Sequence, residues 1–231
     1  MRVQLFVFII LSVVMFGCSA HSGSGRLITR NIEGEIFKEI DISGPYEVEI
    51  KKGNSYSVII EADDNLMNLT DVRIRNNKLE ADIEGHNFNN AHFKLLITGP
   101  EFNLIKGSAS AEFKVAELNS RDKIEIRLSS ASYLNGNADA PEINLKTSSA
   151  GKINIKGKTR KLVAEASSGS DIDAIQLLSE NTTAKASSGS DISVHASVQL
   201  KASASSGGNI RYRGNADLQK NISSGGVVEK E

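Results

Sequence analysis

The sequence has no tryptophan, a single cysteine and few aromatic residues, which make up 5% of its 231 residues. One cysteine cannot form an intramolecular disulfide, so no disulfide framework supports the fold. The scarcity of aromatic rings argues against a conventional mixed core and favours stacked aliphatic side chains. The net charge is only −1 at pH 7, and nothing predicts a nucleic-acid partner. With 39% hydrophobic and 24% charged residues, the composition is that of a globular protein.

The lone cysteine, Cys18, lies at the end of an apolar N-terminal segment. The segment starts with Arg2, is almost entirely apolar over residues 3–16, and ends with Gly17 directly before the cysteine. It is too short to span a membrane stably and predicts a bacterial export signal over residues 1–17. A small residue before a cysteine resembles a lipobox, in which the thiol is acylated and the chain is cut before it. We expect lipidation of Cys18, with an ordinary secreted protein or a retained anchor as alternatives, and a lipid-anchored flexible tether over residues 18–31.

The strongest pattern in the chain is a serine pair that recurs through residues 129–226. Successive pairs are spaced by 19, 19, 20, 18 and 18 residues. A fixed period of this size is typical of a solenoid. A small residue, alanine or glycine, follows each pair and indicates a tight turn. The pairs begin at Ser129, Ser148, Ser167, Ser187, Ser205 and Ser223.

Apolar residues keep a constant phase relative to these serines. The fifth residue after each first serine is apolar without exception: Leu134, Ile153, Ile172, Ile192, Ile210 and Val228. Alternation at two residues before the serines predicts strands. The pattern predicts an all-β, right-handed parallel β-helix with about 18–21 residues per coil, and about five to six coils over residues 129–228. We expect the second serines to point inward as a hydrogen-bonding column: Ser130, Ser149, Ser168, Ser188, Ser206 and Ser224.

Residues 32–107 keep a looser period and predict irregular N-terminal coils or a cap. Strand candidates cover residues 36–42, 46–50, 56–62, 72–74, 79–83 and 93–97. Residues 75–78 predict a hairpin turn through Asn76 and Asn77, and residues 64–69 predict one short helical turn. Regular repeats are expected over residues 108–231, beginning with a degenerate coil at Ser108 and Phe113. We place the cap and the repeats in one structural domain, residues 32–231.

Several turn segments share one sequence pattern. Residues 148–154 read SSAGKIN, residues 167–172 and 187–192 both read SSGSDI, residues 205–210 read SSGGNI, and an opening run at residues 40–53 reads IDISGPYEVEIKKG. These segments resemble the bacterial head GIN domain family, described as autotransporter-adhesin-like, and the resemblance covers about residues 32–228. It implies a β-helix lipoprotein or secreted protein with an inferred adhesion role and no catalytic residues.

Two corners carry an aspartate after Gly-Ser, at Asp171 and Asp191. This spacing is similar to the calcium-binding β-roll repeat, which needs an aspartate at every turn. Here Lys152 and Asn209 occupy the equivalent positions in neighbouring coils. We therefore expect the aspartates to bond their own backbone at the corner, with calcium binding as the alternative.

Catalytic and metal sites have weak support in the sequence. A serine nucleophile needs a base beside it, and the serine pairs have no histidine in register. His86 and His92 lie in a polar segment, where a metal site is the alternative to a polar loop. A polysaccharide lyase is the enzyme alternative, since such enzymes use this architecture. The outward candidates for it form no recognisable constellation: Lys152, Asn154, Lys156, Asp171 and Asp173.

The sequence therefore predicts a non-catalytic lipoprotein of the cell envelope that presents a β-helix surface for binding, as an adhesin or scaffold. A carbohydrate-active enzyme of the polysaccharide-lyase kind is the alternative. The expected partners are a protein or glycan ligand in the envelope or at the cell surface, and the membrane through a lipid anchor alone. We expect no cofactor, no metal and no nucleic acid. The expected location is the outer membrane or the periplasm, with Cys18 as the anchor.

Overall fold

A computed structural model describes residues 21–32, 36–85 and 87–231. The strands of the N-terminal part are β1 (His21–Ser22), β2 (Leu27–Ile32), β3 (Glu39–Ser43), β4 (Glu47–Lys52), β5 (Ser57–Asp63), β6 (Thr70–Arg75), β7 (Lys78–Ile83), β8 (Phe88–Asn89) and β9 (Phe93–Gly99). The coils that follow contain β10 (Leu104–Ser108), β11 (Glu112–Asn119), β12 (Lys123–Leu128), β13 (Tyr133–Thr147), β14 (Lys152–Ala166), β15 (Asp171–Ala186), β16 (Asp191–His195), β17 (Gln199–Ala204), β18 (Asn209–Arg213), β19 (Asp217–Ile222) and β20 (Val227–Lys230). A single-turn 3₁₀ helix spans Met67–Leu69. In the described part of the chain, no helix has the length and apolar character needed to cross a membrane.

Most strands stack in parallel into two ladders, one on each side of a narrow core. The first ladder runs β7, β3, β10, β12, the second halves of β13, β14 and β15, then β17 and β19. The second ladder runs β9, β4, β11, the first halves of β13, β14 and β15, then β16, β18 and β20. The chain crosses from the first ladder to the second through a tight turn in each coil. The predicted β-helix class is therefore confirmed, with about 6 stacked coils, and its right-handed sense stays a prediction.

The predicted apolar column exists and forms the centre of the second ladder. Ile153 pairs with Leu134 on one side and with Ile172 on the other, and the register continues through Ile192 to the last coils. Ile172 has no exposed surface, and the other members up to Ile210 are at most 1% exposed. Burying one such side chain stabilises the fold by roughly 1.5–3 kcal/mol, so the column is a major source of stability.

Small residues face the column from the first ladder and make the core thin. Ala164, Ala184 and Ala202 stack in register and are buried. A second row of alanines lies beside the turns, at Ala166, Ala186 and Ala204. The two ladders can therefore approach closely.

Each regular corner is a tight turn whose two central residues have positive φ. In the first corner, Ser130 and Ala131 have φ values of 50° and 61°. The Ser132 amide donates a hydrogen bond to the Ser129 carbonyl at 3.1 Å, so the turn has the features of type I′. Backbone groups also join successive corners, since the Ala131 amide donates to the Ser149 carbonyl at 3.0 Å.

The predicted inward serine column is wrong. The turn directs its central residues to solvent, and the second serines are exposed: Ser130, Ser149, Ser168, Ser188, Ser206 and Ser224. The inward corner position lies two residues later, where the side chain must be small. It is occupied by Ser132, Gly151, Ser170, Ser190 and Gly208, all of them buried.

The N-terminal part caps the solenoid with antiparallel strands. β2, β5 and β9 pair antiparallel, and β6 and β7 form a hairpin. Asn76 and Asn77 have positive φ values of 51° and 64°, which confirms the predicted hairpin turn. The predicted helical turn corresponds to the 3₁₀ helix, and all six predicted strands overlap β3 to β7 and β9. Phe113 is fully buried and pairs with Leu134 and Val48, which confirms the degenerate coil.

The cap also holds the residues before it, so the prediction of a free tether up to residue 31 is wrong for residues 21–31. β1 pairs with β8, and β2 pairs with β5 along its whole length. The buried carboxylate of Asp63 accepts hydrogen bonds from the Gly25 and His92 amides, both at 2.8 Å. The pairing satisfies backbone groups that a free tether would leave to water. The predicted signal segment and Cys18 lie outside the described residues.

Candidate binding groove

Outward side chains of the first ladder stack into columns because its strands are in register. One column lies two residues before each turn, and we call it the charged column. Its members, in order along the stack, are Asp41, Lys106, Arg127, Lys146, Glu165 and Lys185. Neighbouring strands are ~4.8 Å apart, so these six side chains present charge at even intervals.

An open groove of about 520 Å³ runs along the charged column. Its other wall is formed by the first residues of five successive turns: Ser108, Ser129, Ser148, Ser167 and Ser187. Among the corner serines of the described chain, the inward Ser170 and Ser190 make side-chain hydrogen bonds, whereas the hydroxyl groups of this wall bond no other described residue. They are therefore available to a ligand as both donors and acceptors.

Glu165 interrupts the cations of the charged column. Its carboxylate accepts hydrogen bonds from Lys146 at 3.0 Å and from Lys185 at 3.2 Å. The hydrogen bond from Lys146 is the main cause that lowers the pKa of Glu165, and the one from Lys185 adds to it. At the other end of the column, the Lys106 Nζ lies 3.5 Å from an Asp41 oxygen. Exposed ion pairs of this kind contribute about 0–1 kcal/mol, so an anionic ligand can replace the carboxylates at low cost.

The second ladder carries acidic side chains on the other side of the same corner. Asp171 lies beside Asp191, and the Asn209 side chain donates to Asp191 at 3.1 Å. Partial desolvation raises the pKa of Asp171, and the negative charges of Asp191 and Asp173 raise it further. The prediction that Asp171 and Asp191 bond their own backbone is wrong, because in the described chain neither carboxylate accepts a hydrogen bond from its own turn and that of Asp191 accepts one from Asn209. The Asp171 amide donates instead to the Gly151 carbonyl at 3.0 Å.

Metal-ligand geometry is absent from the part of the chain that the structure describes. Residues 21–32, 36–85 and 87–231 contain no group of three or more His, Cys, Asp or Glu side chains that could hold a metal ion. His92 contacts the Glu61 carboxylate at 2.8 Å, and His86, its proposed partner, lies outside the described residues.

A second open cavity, of about 570 Å³, lies where the coils become shorter after β15. Ser179 and His195 both line it, but they do not form a nucleophile–base pair. The hydroxyl groups of Ser179 and Thr182 bond the His195 carbonyl, not its ring. Next to the position where the coils become shorter, Leu178 and Val198 are 57% and 54% exposed. These hydrogen bonds connect β15 to the shorter coil that follows it, so their role is structural.

The outward residues considered for a lyase lie on the second ladder. Lys152 pairs with Asp171, and Asn154 pairs with Asp173. The cations of the charged column lie across the corner on the first ladder. The structure therefore separates the acidic side chains of the second ladder from the charged column and does not bring them into one site.

Comparison with known proteins agrees with this architecture. A family model described as "Putative auto-transporter adhesin, head GIN domain" matches residues 36–216. The chain belongs to the head GIN domain family. No curated protein matches it.

Solved structures resemble this head GIN domain over almost the whole chain. A putative adhesin from Bacteroides fragilis has a TM-score of 0.83 at 20% identity, covering 91% of this chain and 99% of that one. A putative lipid binding protein from Parabacteroides distasonis has a TM-score of 0.73 at 16% identity, with coverages of 92% and 100%. A putative adhesin from Parabacteroides merdae has a TM-score of 0.69 at 21% identity, with the same coverages of 92% and 100%. At these identities the likeness establishes the fold.

The groove of this head GIN domain is not evident from the sequence alone, because its outward residues have the composition of an ordinary solvated surface. The signal that could have found it is positional. Counting two residues back from Ser108 and from successive serine pairs gives Lys106, Arg127, Lys146, Glu165 and Lys185. This count predicts a column of side chains only if the strands of successive repeats stack in register.

Proposed function

We propose that this head GIN domain protein is a non-catalytic binding protein of the bacterial cell envelope, acting as an adhesin or scaffold. The observation that carries the proposal is the open, repeated surface of the first ladder. The groove extends over six strands and offers charges and free hydroxyl groups at regular intervals. A surface of this kind fits an extended partner better than a small substrate, which an enclosed cleft would hold. The family description and the adhesin neighbours support the same class of function.

No specific observation favours the polysaccharide-lyase alternative. Catalysis needs acid, base and charge-stabilising groups that converge on one substrate position. In the described residues, the acidic Asp171 and Asp191 lie on the opposite side of the corner from the charged column. We therefore propose binding without turnover.

Adhesion can be measured directly with the intact chain, purified in detergent and coated on beads. We expect coated beads to attach to cells of the producing bacterium or to its surface polymers, more than beads coated with the Ile172→Asp variant. That substitution places an unpaired charge in the core and unfolds the local coils. Equal attachment of both bead types, or release of polysaccharide fragments by the intact chain, would contradict the proposal.

We also propose that Cys18 is the lipid attachment site that holds the protein at the membrane. The support is the apolar segment that ends in Gly17-Cys18. In detergent phase separation, the wild-type protein is expected in the detergent phase and the Cys18→Ala variant in the aqueous phase. If the two proteins partition alike, Cys18 is not lipidated.

A further inference from the structure

We propose that the groove along the charged column binds a linear polysaccharide that carries carboxylate groups, with the sugar chain running parallel to the stack of coils. This inference rests on the proposed binding function and names the ligand class of that surface.

The sign of the charge is the first argument. Four cations and two carboxylates line the groove, although the whole chain has a net charge of −1. Lys106, Arg127 and Lys146 are consecutive members of the column, and Arg127 also pairs with Glu125 of its own strand. Charge of this sign concentrated on one surface attracts an anionic partner.

Regular spacing is the second argument. Lys106, Arg127 and Lys146 lie one strand apart, at ~4.8 Å, which is close to the length of one sugar in an extended polysaccharide, and Lys185 lies two strands beyond Lys146. A linear polyuronate that runs along the charged column therefore places roughly one sugar at each strand, so some of its carboxylates come next to the cations. Five strand spacings separate Asp41 from Lys185, so the column is roughly 24 Å long and accommodates several sugars.

The serine wall is the third argument. The hydroxyl groups of Ser129, Ser148 and Ser167 face the groove without bonding another described residue. A serine hydroxyl donates one hydrogen bond and accepts others, as sugar hydroxyl groups do. The groove contains no aromatic ring for sugar stacking, so recognition depends on charge and hydrogen bonds. Binding must therefore weaken as salt concentration rises.

Substitution of Glu165 is expected to strengthen ligand binding, whereas substitution of the lysines of the charged column weakens it. Glu165 is the one acidic member of the charged column between Lys106 and Lys185, and its carboxylate pairs with both Lys146 and Lys185. An anionic sugar chain in the groove passes next to this negative charge. Glu165→Gln removes the repulsion and releases both lysines, so it must tighten binding.

The experiment uses the intact chain in detergent micelles and a linear oligogalacturonate long enough to span the charged column. The groove variant combines Lys106→Gln, Lys146→Gln and Lys185→Gln. Its matched control combines Lys152→Gln, Lys156→Gln and Lys158→Gln, three exposed lysines of β14 on the second ladder. Both variants lose the same number of charges, and circular dichroism checks that both fold. Polyglutamate of matched charge and a neutral gluco-oligosaccharide serve as comparison ligands.

We expect the groove variant to lose about tenfold or more in affinity for oligogalacturonate, the control variant to stay near wild type, and Glu165→Gln to bind more tightly. Equal losses in the two lysine variants, equal affinity for polyglutamate, or no binding of oligogalacturonate would overturn the proposal. Bead adhesion without oligogalacturonate binding defeats this inference alone. Failure of bead adhesion, with oligogalacturonate still bound, defeats the proposed adhesive function instead.

Discussion

Ser132 is the inward side chain of the first regular corner and shows what the thin core requires of single residues. It has no exposed surface, and its hydroxyl has no hydrogen-bond partner among the described residues. The equivalent Ser190 is also fully buried, but its hydroxyl donates to the Ala166 carbonyl at 2.8 Å and accepts from the Ser187 amide at 3.0 Å. Two chemically identical residues in equivalent positions therefore differ in hydrogen bonding.

Alanine substitution should have opposite effects at these two serines. Ser132→Ala removes an unsatisfied buried hydroxyl and should raise the free energy of unfolding by about 1 kcal/mol. Ser190→Ala removes two hydrogen bonds and should lower it by about 1–2 kcal/mol. Thermal denaturation followed by circular dichroism measures both changes. A shift of the same sign in both variants would contradict this assignment of partners.

Asp171 predicts a pH dependence. Because its pKa is raised in the folded protein, the folded state takes up a proton more readily than the unfolded chain. The ionised carboxylate is then destabilising at neutral pH, and this effect disappears as the pH falls through the raised pKa. Asp171→Asn should have a higher Tm than the wild type at pH 7, and the difference should vanish under acidic conditions. Asp139→Asn, which breaks an exposed ion pair with Lys158 at 3.3 Å, is the charge-matched control and should not raise the Tm. If the Asp171→Asn variant still has the higher Tm at acidic pH, the raised pKa of Asp171 is not the cause of the difference.

At the scale of the element, the turns set which coil positions accept a side chain. Gly169 is a central turn residue with a φ of +65°, and an added Cβ would meet no atom within 4 Å. Ala131 and Ala150 occupy the equivalent position in neighbouring coils with φ values of 61°. Gly157, inside β14, has a φ of +129°, and a Cβ there would lie 2.0 Å from the Ala138 carbonyl oxygen. The two glycines therefore serve different purposes.

Gly169→Ala should change the free energy of unfolding by less than about 1 kcal/mol, because alanine is already tolerated at this turn position. Gly157→Ala should destabilise the protein by about 3 kcal/mol or more, since strain and a backbone clash add together. Denaturant titration of the two variants gives the comparison. Similar losses in both would mean that the coils do not approach as closely as the structure has them.

Much of each element was predictable from the serine period, because strand alternation and a tight turn leave a strong local signal. The orientation of Ser130 was not predictable in the same way. Alternation from Leu128 to Leu134 places Ser130 inside, but a turn with two positive φ values puts its central residues outside the core. The attachment of residues 21–31 also escaped prediction, since it depends on the distant Asp63 and β5. Long-range partners of this kind leave no periodic pattern.

At the scale of the whole molecule, in-register stacking turns a sequence repeat into columns with distinct chemistry. Apolar columns face inward, the charged column lines the groove, and an acidic pair lies across the corner. Each coil contacts its neighbours, as in other solenoids, so the surface can extend without a larger core. The charged column was present in the sequence, but its continuity required the register of β3, β10 and β12.

Disulfide trapping across the charged column tests this register most directly. Lys146 and Glu165 are register partners on neighbouring strands, where Cα atoms are ~4.8 Å apart and a disulfide is geometrically allowed. In a Cys18→Ser background, Lys146→Cys with Glu165→Cys should form an intramolecular disulfide rapidly under mild oxidation. The control pair Lys146→Cys with Val163→Cys is displaced by two residues, because Val163 pairs with Asn144, and should oxidise much more slowly. Faster oxidation of the displaced pair would contradict the stacked register on which both the fold and the groove depend.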